Sequence, residues 1–213
     1  MTPPPIAHDR ARHWDDRYER VGDVNVSWFQ ARPDTSLELI DALGVGPSAP
    51  VVDVGGGNSR LVDELVARGF ADVTVLDVSG TALRLARRRV GDTDVVTWLR
   101  ADILMWRPPR RWGLWHDRAV FHFLTEPADR ATYLGNLGRA LRPGGSFVIG
   151  TFAPDGPEQC SGLPVKRYDV TALSELILAA IPGATVSEWR AETHLTPSGA
   201  TQPFTWTAGT VSG

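Results

Sequence analysis

Three acidic residues and a glycine-rich turn are the groups best suited to bind a ligand in this 213-residue chain. The turn, Gly55-Gly56-Gly57-Asn58, follows the apolar run Val51-Val52-Asp53-Val54. Glycines let a backbone approach a ligand without an obstructing Cβ atom. Asp77 ends a second apolar run, and Asp102 follows a third. Carboxylates at such strand ends accept hydrogen bonds from both ribose hydroxyls and from an adenine amino group. The set predicts a site for an adenosine without phosphates.

The turn departs from the dinucleotide-binding fingerprint. In G-x-G-x-x-G, the third glycine lies where the helix packs against the strand. Counted from Gly55, that position is Arg60. A pyrophosphate site, and with it NAD, is therefore disfavoured.

A parallel α/β sheet is the arrangement that brings these residues together. Each apolar run is typical of a buried strand, and helical spacing of apolar residues follows the glycine turn. Segment 112–116 predicts a further strand that carries Asp117 to its carboxyl end, and segment 146–152 predicts the next. Open α/β sheets bind ligands at this edge. Segments 184–192 and 204–211 predict a terminal hairpin, with one strand antiparallel to its neighbours.

The ordered motifs DVGGGNS, VLDVS, RADIL, WHDRAVFHFL and LRPGGSFVIGTF resemble those of the class I S-adenosylmethionine-dependent methyltransferases. The resemblance implies a three-layer, doubly wound, Rossmann-like α/β fold of seven strands with a C-terminal antiparallel hairpin strand. It implies S-adenosylmethionine as cofactor and S-adenosylhomocysteine as product. It also implies cofactor contacts from Asp53, Gly55, Gly56, Gly57, Asn58, Asp77, Val78, Asp102, Ile103 and Asp117.

The N-terminal half resembles the elongation factor 1A lysine methyltransferases in its W-D-x-R-Y and W-F patterns. This resemblance implies cofactor contacts from Trp14, Tyr18 and Trp28. An aromatic face near a sulfonium supplies cation–π attraction, and a lid excludes water. The alternative is that these aromatics only anchor a helix to the sheet. We predict a flexible tail over residues 1–8. Residues 9–213 are predicted to form one domain, with a helical lid over about 9–43.

Candidate catalytic residues follow the fourth predicted strand. Asp117 is placed to hold the cofactor's ammonium or to contact the acceptor, and His122 is a candidate base. A histidine between two phenylalanines also suits a structural role. The candidate substrate-loop residues are Phe121, Cys160, Arg167 and Tyr168. Cys160 suits a soft substrate or simple packing, and Arg167 with Tyr168 suits an anionic acceptor or a charged surface.

The composition narrows the class of partner. A net charge of −3 predicts no general attraction to nucleic acid or to an anionic membrane. A single cysteine excludes an internal disulfide and suits a reducing cytoplasm. The N terminus lacks the basic and apolar regions of a signal peptide, so a cytoplasmic location is predicted. We expect a monomer or homodimer, a small-molecule acceptor and no metal.

Three functions are consistent with these features. The first is methyl transfer to a small molecule, such as a thiol or another soft heteroatom, because one domain is predicted and its acceptor loop is aromatic and compact. The second is protein lysine methylation, which the N-terminal resemblance favours. The third is cofactor binding without catalysis. The motif after the fourth strand, DRAVFHF, departs from the lysine methyltransferase pattern.

Overall fold

A seven-stranded sheet with the strand order β3-β2-β1-β4-β5-β9-β8 organises the chain. The computed structural model describes residues 7–22 and 24–212. The sheet consists of β1 (Val51–Val54), β2 (Val73–Asp77), β3 (Val96–Arg100), β4 (Trp112–Arg118), β5 (Leu141–Phe152), β8 (Ala184–Leu195) and β9 (Thr201–Val211). A separate short hairpin joins β6 (Gln159–Cys160) to β7 (Leu163–Pro164).

Six α-helices of the described ranges surround the sheet: α1 (Ala7–Val21), α2 (Asp34–Ala42), α3 (Leu61–Ala67), α4 (Gly80–Val90), α5 (Pro127–Ala140) and α6 (Val170–Ala180). The predicted tail over residues 1–6 lies outside the described residues, whereas residues 7 and 8 begin α1. Across the described ranges, no helix combines the length and the apolar composition needed to cross a membrane.

Two apolar clusters cover the two faces of the sheet. Side chains alternate along a strand, so Val51 and Val52 point to opposite faces. Val51 packs in a cluster with residues of α2 and α3 such as Leu37 and Leu61. Val52 packs in the other cluster, with residues of α5 and α6 such as Leu137. The predicted three-layer α/β architecture is confirmed.

The strand order reverses beside β1. This strand pairs in parallel with β2 on one side and with β4 on the other. Such a reversal leaves a crevice at the carboxyl ends of the strands, which is the ligand-binding position of doubly wound folds. At the far edge, β9 lies antiparallel between β5 and β8, as the terminal hairpin predicted.

Strand β5 begins earlier than the sequence indicates. The helical pattern extends to Arg142, but α5 ends at Ala140 and Leu141 already belongs to the sheet. Leu141 pairs with Trp112 of β4, so strand pairing imposes the extended conformation. The segment from Pro143 to Gly145 therefore lies inside the strand as an irregularity.

Candidate functional site

A cavity of about 850 Å³ opens at the carboxyl edge of the sheet, beside the reversal of strand order. Pockets that hold small organic ligands span about 300–1,000 Å³. The strand ends, α1 and the β6–β7 hairpin form the walls. Its lining includes the predicted residues Trp14, Tyr18, Trp28, Gly55, Asp77, Val78, Asp102, Ile103 and Cys160.

The glycines of the turn make room for the protein's own side chains. Gly55 has a φ of +66°, and a Cβ there would overlap Val120. Gly57 has a φ of +47°, and its Cβ would lie 2.9 Å from Oδ2 of Asp77 and 3.0 Å from the hydroxyl of Tyr18. Left-handed backbone favours glycine at both positions. Any side chain at Gly57 would therefore disturb the two residues that face the cavity beside it.

Asp77 lies in the cavity wall at the end of β2. Its Oδ1 accepts a hydrogen bond of 2.7 Å from the backbone N–H of Ser79. Burial, together with the charges of Asp53 and Asp15, raises the pKa of Asp77 to about 7 against the opposing effect of the Ser79 bond. A carboxylate here can accept hydrogen bonds from the two hydroxyl groups of a ribose. These bonds would favour the ionised form of Asp77.

Asp102 is bound by an arginine that the sequence did not indicate. Nη1 of Arg10 donates to its Oδ2 at 3.1 Å, and the Leu104 N–H donates to its Oδ1 at 2.9 Å. Arg10 also lies 3.7 Å from a carboxylate oxygen of Asp129. These contacts tie α1 to the cavity edge where the adenine contact is predicted.

The three predicted aromatic residues form one wall of the cavity. The ring centroids of Trp14 and Trp28 are 5.6 Å apart, and those of Tyr18 and Trp28 are 5.7 Å apart. Nε1 of Trp28 donates to the Tyr18 hydroxyl at 3.2 Å. Trp14 also meets Phe123 edge-on at 5.3 Å. The structure thus brings together residues from α1 and the segments after α1 and β4.

Asp53 supports the glycine turn from the core side. Its Oδ1 lies 2.7 Å from Nδ1 of His116, whose Nε2 lies 2.9 Å from the Ser36 hydroxyl. A Cβ at Gly56 would overlap the other carboxylate oxygen of Asp53. Neither Asp53 nor Gly56 borders the large cavity; both line a smaller one of about 40 Å³. The carboxylate predicted to contact cofactor therefore faces a buried histidine.

Asn58 is occupied by Arg89 of α4. Nη1 of Arg89 donates to the Asn58 side-chain oxygen, and Nη2 donates to the Ser59 carbonyl at 2.7 Å. Its Nε donates to Asp63 at 2.9 Å. In sequence, Arg89 belongs to an arginine run typical of a solvated helix face. In the structure it fixes the turn, and Asn58 lies outside the lining of the large cavity.

The predicted roles of Asp117 conflict with its surroundings. The side chain is fully buried and does not border the cavity. Its oxygens accept hydrogen bonds from the N–H groups of Val120 and Phe121, at 2.8 and 3.1 Å, and from the Tyr133 hydroxyl. Burial raises its pKa to about 6, and the Tyr133 bond and backbone bonds oppose this effect. Asp117 holds the chain after β4 rather than a ligand.

His122 does not border the cavity either, and its role as a base stays a prediction. Its ring packs against Phe123 and Phe152, each with a centroid distance of 4.5 Å. Nδ1 accepts from the Phe152 N–H at 3.3 Å. Burial, together with the charge of Arg118, lowers its pKa to about 3. The imidazole is therefore neutral at ordinary pH.

Of the four substrate-loop residues, only Cys160 borders the cavity. Phe121 and Tyr168 pack against each other in the core at 5.6 Å. Arg167 binds the Gly156 carbonyl and Glu158 through bonds of 3.1 Å. The β6–β7 hairpin directs Cys160 inward, and the chain then returns to the sheet before residue 167. Burial raises the pKa of the Cys160 thiol to about 11, so it stays protonated at neutral pH.

Sequence reasoning missed several lining residues near the end of β4. They are Leu124, Thr125, Glu126 and Asp129, whereas Arg118, Ala119, Val120 and Phe123 belong to segment 117–123, which the sequence places at the ligand edge. Side chains alternate along a strand, so Arg118 must point to the face of the sheet opposite to Asp117. This alternation explains why Arg118 lines the cavity whereas Asp117 does not. Among residues 7–22 and 24–212, no group of three or more histidines, cysteines or carboxylates is arranged to hold a metal ion.

Residues 51–145 match the family described as "Methyltransferase domain". The chain is 25% identical over 154 residues to EEF1A lysine methyltransferase 2 of Danio rerio, covering 64% of this chain and 66% of that protein. It is 29% identical over 140 residues to Nodulation protein S of Rhizobium tropici, covering 66% of this chain and 58% of that protein. This chain thus spans less than two thirds of either relative.

A solved structure shares the fold. It is the Burkholderia thailandensis 1,6-didemethyltoxoflavin-N1-methyltransferase with bound 1,6-didemethyltoxoflavin and S-adenosylhomocysteine. The TM-score is 0.73 at 22% identity, covering 100% of this chain and 93% of the other. The domain match over residues 51–145, the two relatives and the shared fold make the chain similar to the class I, Rossmann-like S-adenosylmethionine-dependent methyltransferases.

Proposed function

We propose that the chain moves a methyl group from S-adenosylmethionine to a small molecule, a thiol or another soft heteroatom. The observation that carries the proposal is the division of the cavity. Acidic residues lie at one end, whereas apolar side chains and Cys160 lie at the hairpin end. A ligand with cationic and nucleoside parts suits the first end, and a compact acceptor suits the second.

The acidic end has the groups needed for the cofactor. Asp77 would bind the ribose hydroxyls. Asp102 would accept a hydrogen bond from the adenine amino group, once Arg10 shares or releases the Asp102 carboxylate. The bound cofactor supplies an electrophilic methyl group on a sulfonium. Trp14, Tyr18 and Trp28 would cover that part, attract its charge and keep water away.

The hairpin end offers an acceptor little proton-transfer help. Besides Cys160, the hairpin contributes Leu163 and Pro164 to the lining, neither of which can remove a proton. The Cys160 thiol, whose pKa burial raises to about 11, is protonated at neutral pH and therefore cannot accept a proton there. A free thiol has a pKa of about 8.5 and ionises far more readily than an alkylammonium at about 10.4. An acceptor that arrives partly as a thiolate is therefore favoured.

Protein lysine methylation is the second candidate, and two observations favour it. One is the 25% identity to the Danio rerio EEF1A lysine methyltransferase 2. The other is the pair Glu126 and Asp129, whose carboxylates line the cavity and would attract a lysine ammonium. Cofactor binding without catalysis is the third candidate.

One experiment separates the three functions. The full chain is incubated with methyl-labelled S-adenosylmethionine and either simple thiols, phenols, amines or a cell lysate. We expect label in the extractable small-molecule fraction with thiols. Label in a protein band alone would replace the proposal with protein methylation. Binding of S-adenosylhomocysteine without any labelled product would indicate the non-catalytic function. The Asp77→Ala variant serves as the control for cofactor-dependent signal.

A further inference from the structure

Arg118, the last residue of β4, carries a buried guanidinium without a charged partner. Nη1 donates to the Trp28 carbonyl at 2.9 Å, and the guanidinium carbon lies 4.7 Å from the Phe204 ring centroid. Its Nε and Nη2 are buried and have no hydrogen-bond acceptor among the described residues. Burial lowers the pKa of Arg118. A buried cation without a counter-ion destabilises the folded chain, because the ion has lost its water and has gained no opposite charge.

The carboxylate with the strongest electrostatic influence on Arg118 is already occupied. Glu192 raises the pKa of Arg118 through its charge but forms no ion pair with it. Oε1 of Glu192 accepts from the Gln30 amide at 2.6 Å, and Oε2 accepts from Nε1 of Trp206 at 2.7 Å. The fold thus holds this carboxylate in other bonds and leaves the guanidinium available.

Arg118 lies at the acceptor end of the large cavity. Its side chain borders that cavity and also the smaller one behind it, so open space adjoins it on both sides. Cys160 belongs to the same end, and the charges of both Arg118 and Arg17 act on its thiol. Nε of Arg17 is also buried without an acceptor in the described part of the chain. Both cations therefore lie near Cys160, and of the two Arg118 is the one that lines the cavity.

Resting on the proposed function, we infer that the methyl acceptor carries a carboxylate or a similar oxyanion, which binds at the corner formed by Arg118 and Arg17. Guanidinium groups bind carboxylates through paired, charge-assisted hydrogen bonds. The apolar body of such an acceptor would lie against Phe123 and Leu163, which line the cavity. Arg118 is then a specificity-determining residue, a role that the sequence had suggested for Arg167.

The test uses three probes of similar shape and different charge: phenylacetate, phenylacetamide and phenethylamine. Each is titrated calorimetrically into the full chain saturated with S-adenosylhomocysteine. We expect phenylacetate to bind at least about tenfold more tightly than the amide, with the amine weakest. In Arg118→Gln this preference should disappear, and in Arg118→Lys it should be partly retained. Arg88→Gln, at an exposed arginine of α4, is the matched control and should keep the full preference.

Two results would overturn the inference. The first is equal binding of the three probes to the saturated wild-type protein. The second is an Arg118→Gln variant that binds S-adenosylhomocysteine weakly but 5′-methylthioadenosine normally, since Arg118 would then hold the cofactor's own carboxylate. If Arg118→Gln does not fold, Arg17→Gln should reduce the preference in the same direction. Failure of the wild-type protein to bind S-adenosylhomocysteine would instead refute the proposed function.

Discussion

The ends of β2 and β4 carry the same residue type at the same edge of the sheet but use it differently. Asp77 and Asp117 are both buried, and burial raises both pKa values, to about 7 and about 6. Asp77 borders the cavity, whereas Asp117 is enclosed by hydrogen-bond donors. Position at the ligand edge is therefore not sufficient to make a carboxylate a ligand-binding group.

The segment that follows each strand explains the difference. After β2, Ser79 caps α4 by accepting from the Ala82 N–H, so that helix satisfies its own first turn. After β4, Ala119 adopts a φ of 74° and the chain enters a short 3₁₀ turn at Phe121–Phe123. The N–H groups of that turn point back at Asp117, which acts much as a helix cap does.

Removing Asp117 should have the largest effect in the molecule, and the effect should be on stability. Asp117→Ala leaves two N–H groups and the Tyr133 hydroxyl without their acceptor. We expect the free energy of unfolding to fall by about 3–5 kcal/mol. Urea unfolding measures this loss, and calorimetry should show unchanged S-adenosylhomocysteine affinity per folded molecule. A stable variant that has lost affinity would return Asp117 to the cofactor site.

Removing Asp77 should give the opposite pattern. Asp77→Ala should weaken S-adenosylhomocysteine binding by about 2–3 kcal/mol, the range for losing charge-assisted hydrogen bonds. Its stability should not fall at pH 8. Burial raises the pKa of Asp77 from its ordinary 3.8 to about 7 in the folded chain, so its ionisation lowers stability progressively as the pH rises from about 4 to 7. Unchanged affinity in the folded variant would show that Asp77 is not the ribose acceptor.

Local sequence predicts the fold and the place of the glycine turn well, because both depend on short-range patterns. The bounds of α6, Val170–Ala180, follow from apolar spacing alone, and the glycine turn lies where the strand pattern ends. The roles of Asp117 and His122 could not be read in this way. They depend on which donors the next turn supplies and on which aromatic rings enclose the imidazole.

Contacts between distant segments are less predictable, and they occur at both ends of the cavity. Arg10 reaches Asp102 across 92 positions of sequence, and Arg118 donates to Trp28 across 90. A local pattern carries no record of such contacts. Arg167 was a plausible anion-binding residue from its type, but the β6–β7 hairpin sends it to Glu158 instead.

The pH dependence of binding sharpens the contrast between the two acids. Asp77 must be ionised to accept hydrogen bonds from both ribose hydroxyl groups. Burial raises its pKa in the free protein to about 7. Affinity for S-adenosylhomocysteine should therefore fall by about tenfold per pH unit below 7 and level off above it. Calorimetry between pH 5.5 and about 8.5 measures the profile. In Asp77→Asn this step should be absent. A step that persists in Asp77→Asn would belong to another group.

The smallest expected effect concerns the aromatic wall, which spans both strand ends. Tyr18 adjoins Asp77 on the β2 side, and Trp14 meets Phe123 on the β4 side. If the wall closes over the cofactor, the Trp14 ring stabilises the sulfonium by about 0.5–1 kcal/mol. Trp14→Leu should then weaken S-adenosylmethionine binding two- to five-fold, by about that amount, and leave the uncharged thioether of S-adenosylhomocysteine unaffected.

A brace would behave differently, because it acts on the folded chain and not on the ligand's charge. Trp14→Leu would then lower the melting temperature and change the affinities for both ligands equally, or neither. Tyr18→Phe is the matched control, because it keeps an aromatic ring and removes only the hydroxyl that accepts from Trp28. It should leave the ratio of the two affinities unchanged. The ratio isolates the sulfonium, so a constant ratio in Trp14→Leu would remove Trp14 from the cofactor site and leave it as an anchor of α1.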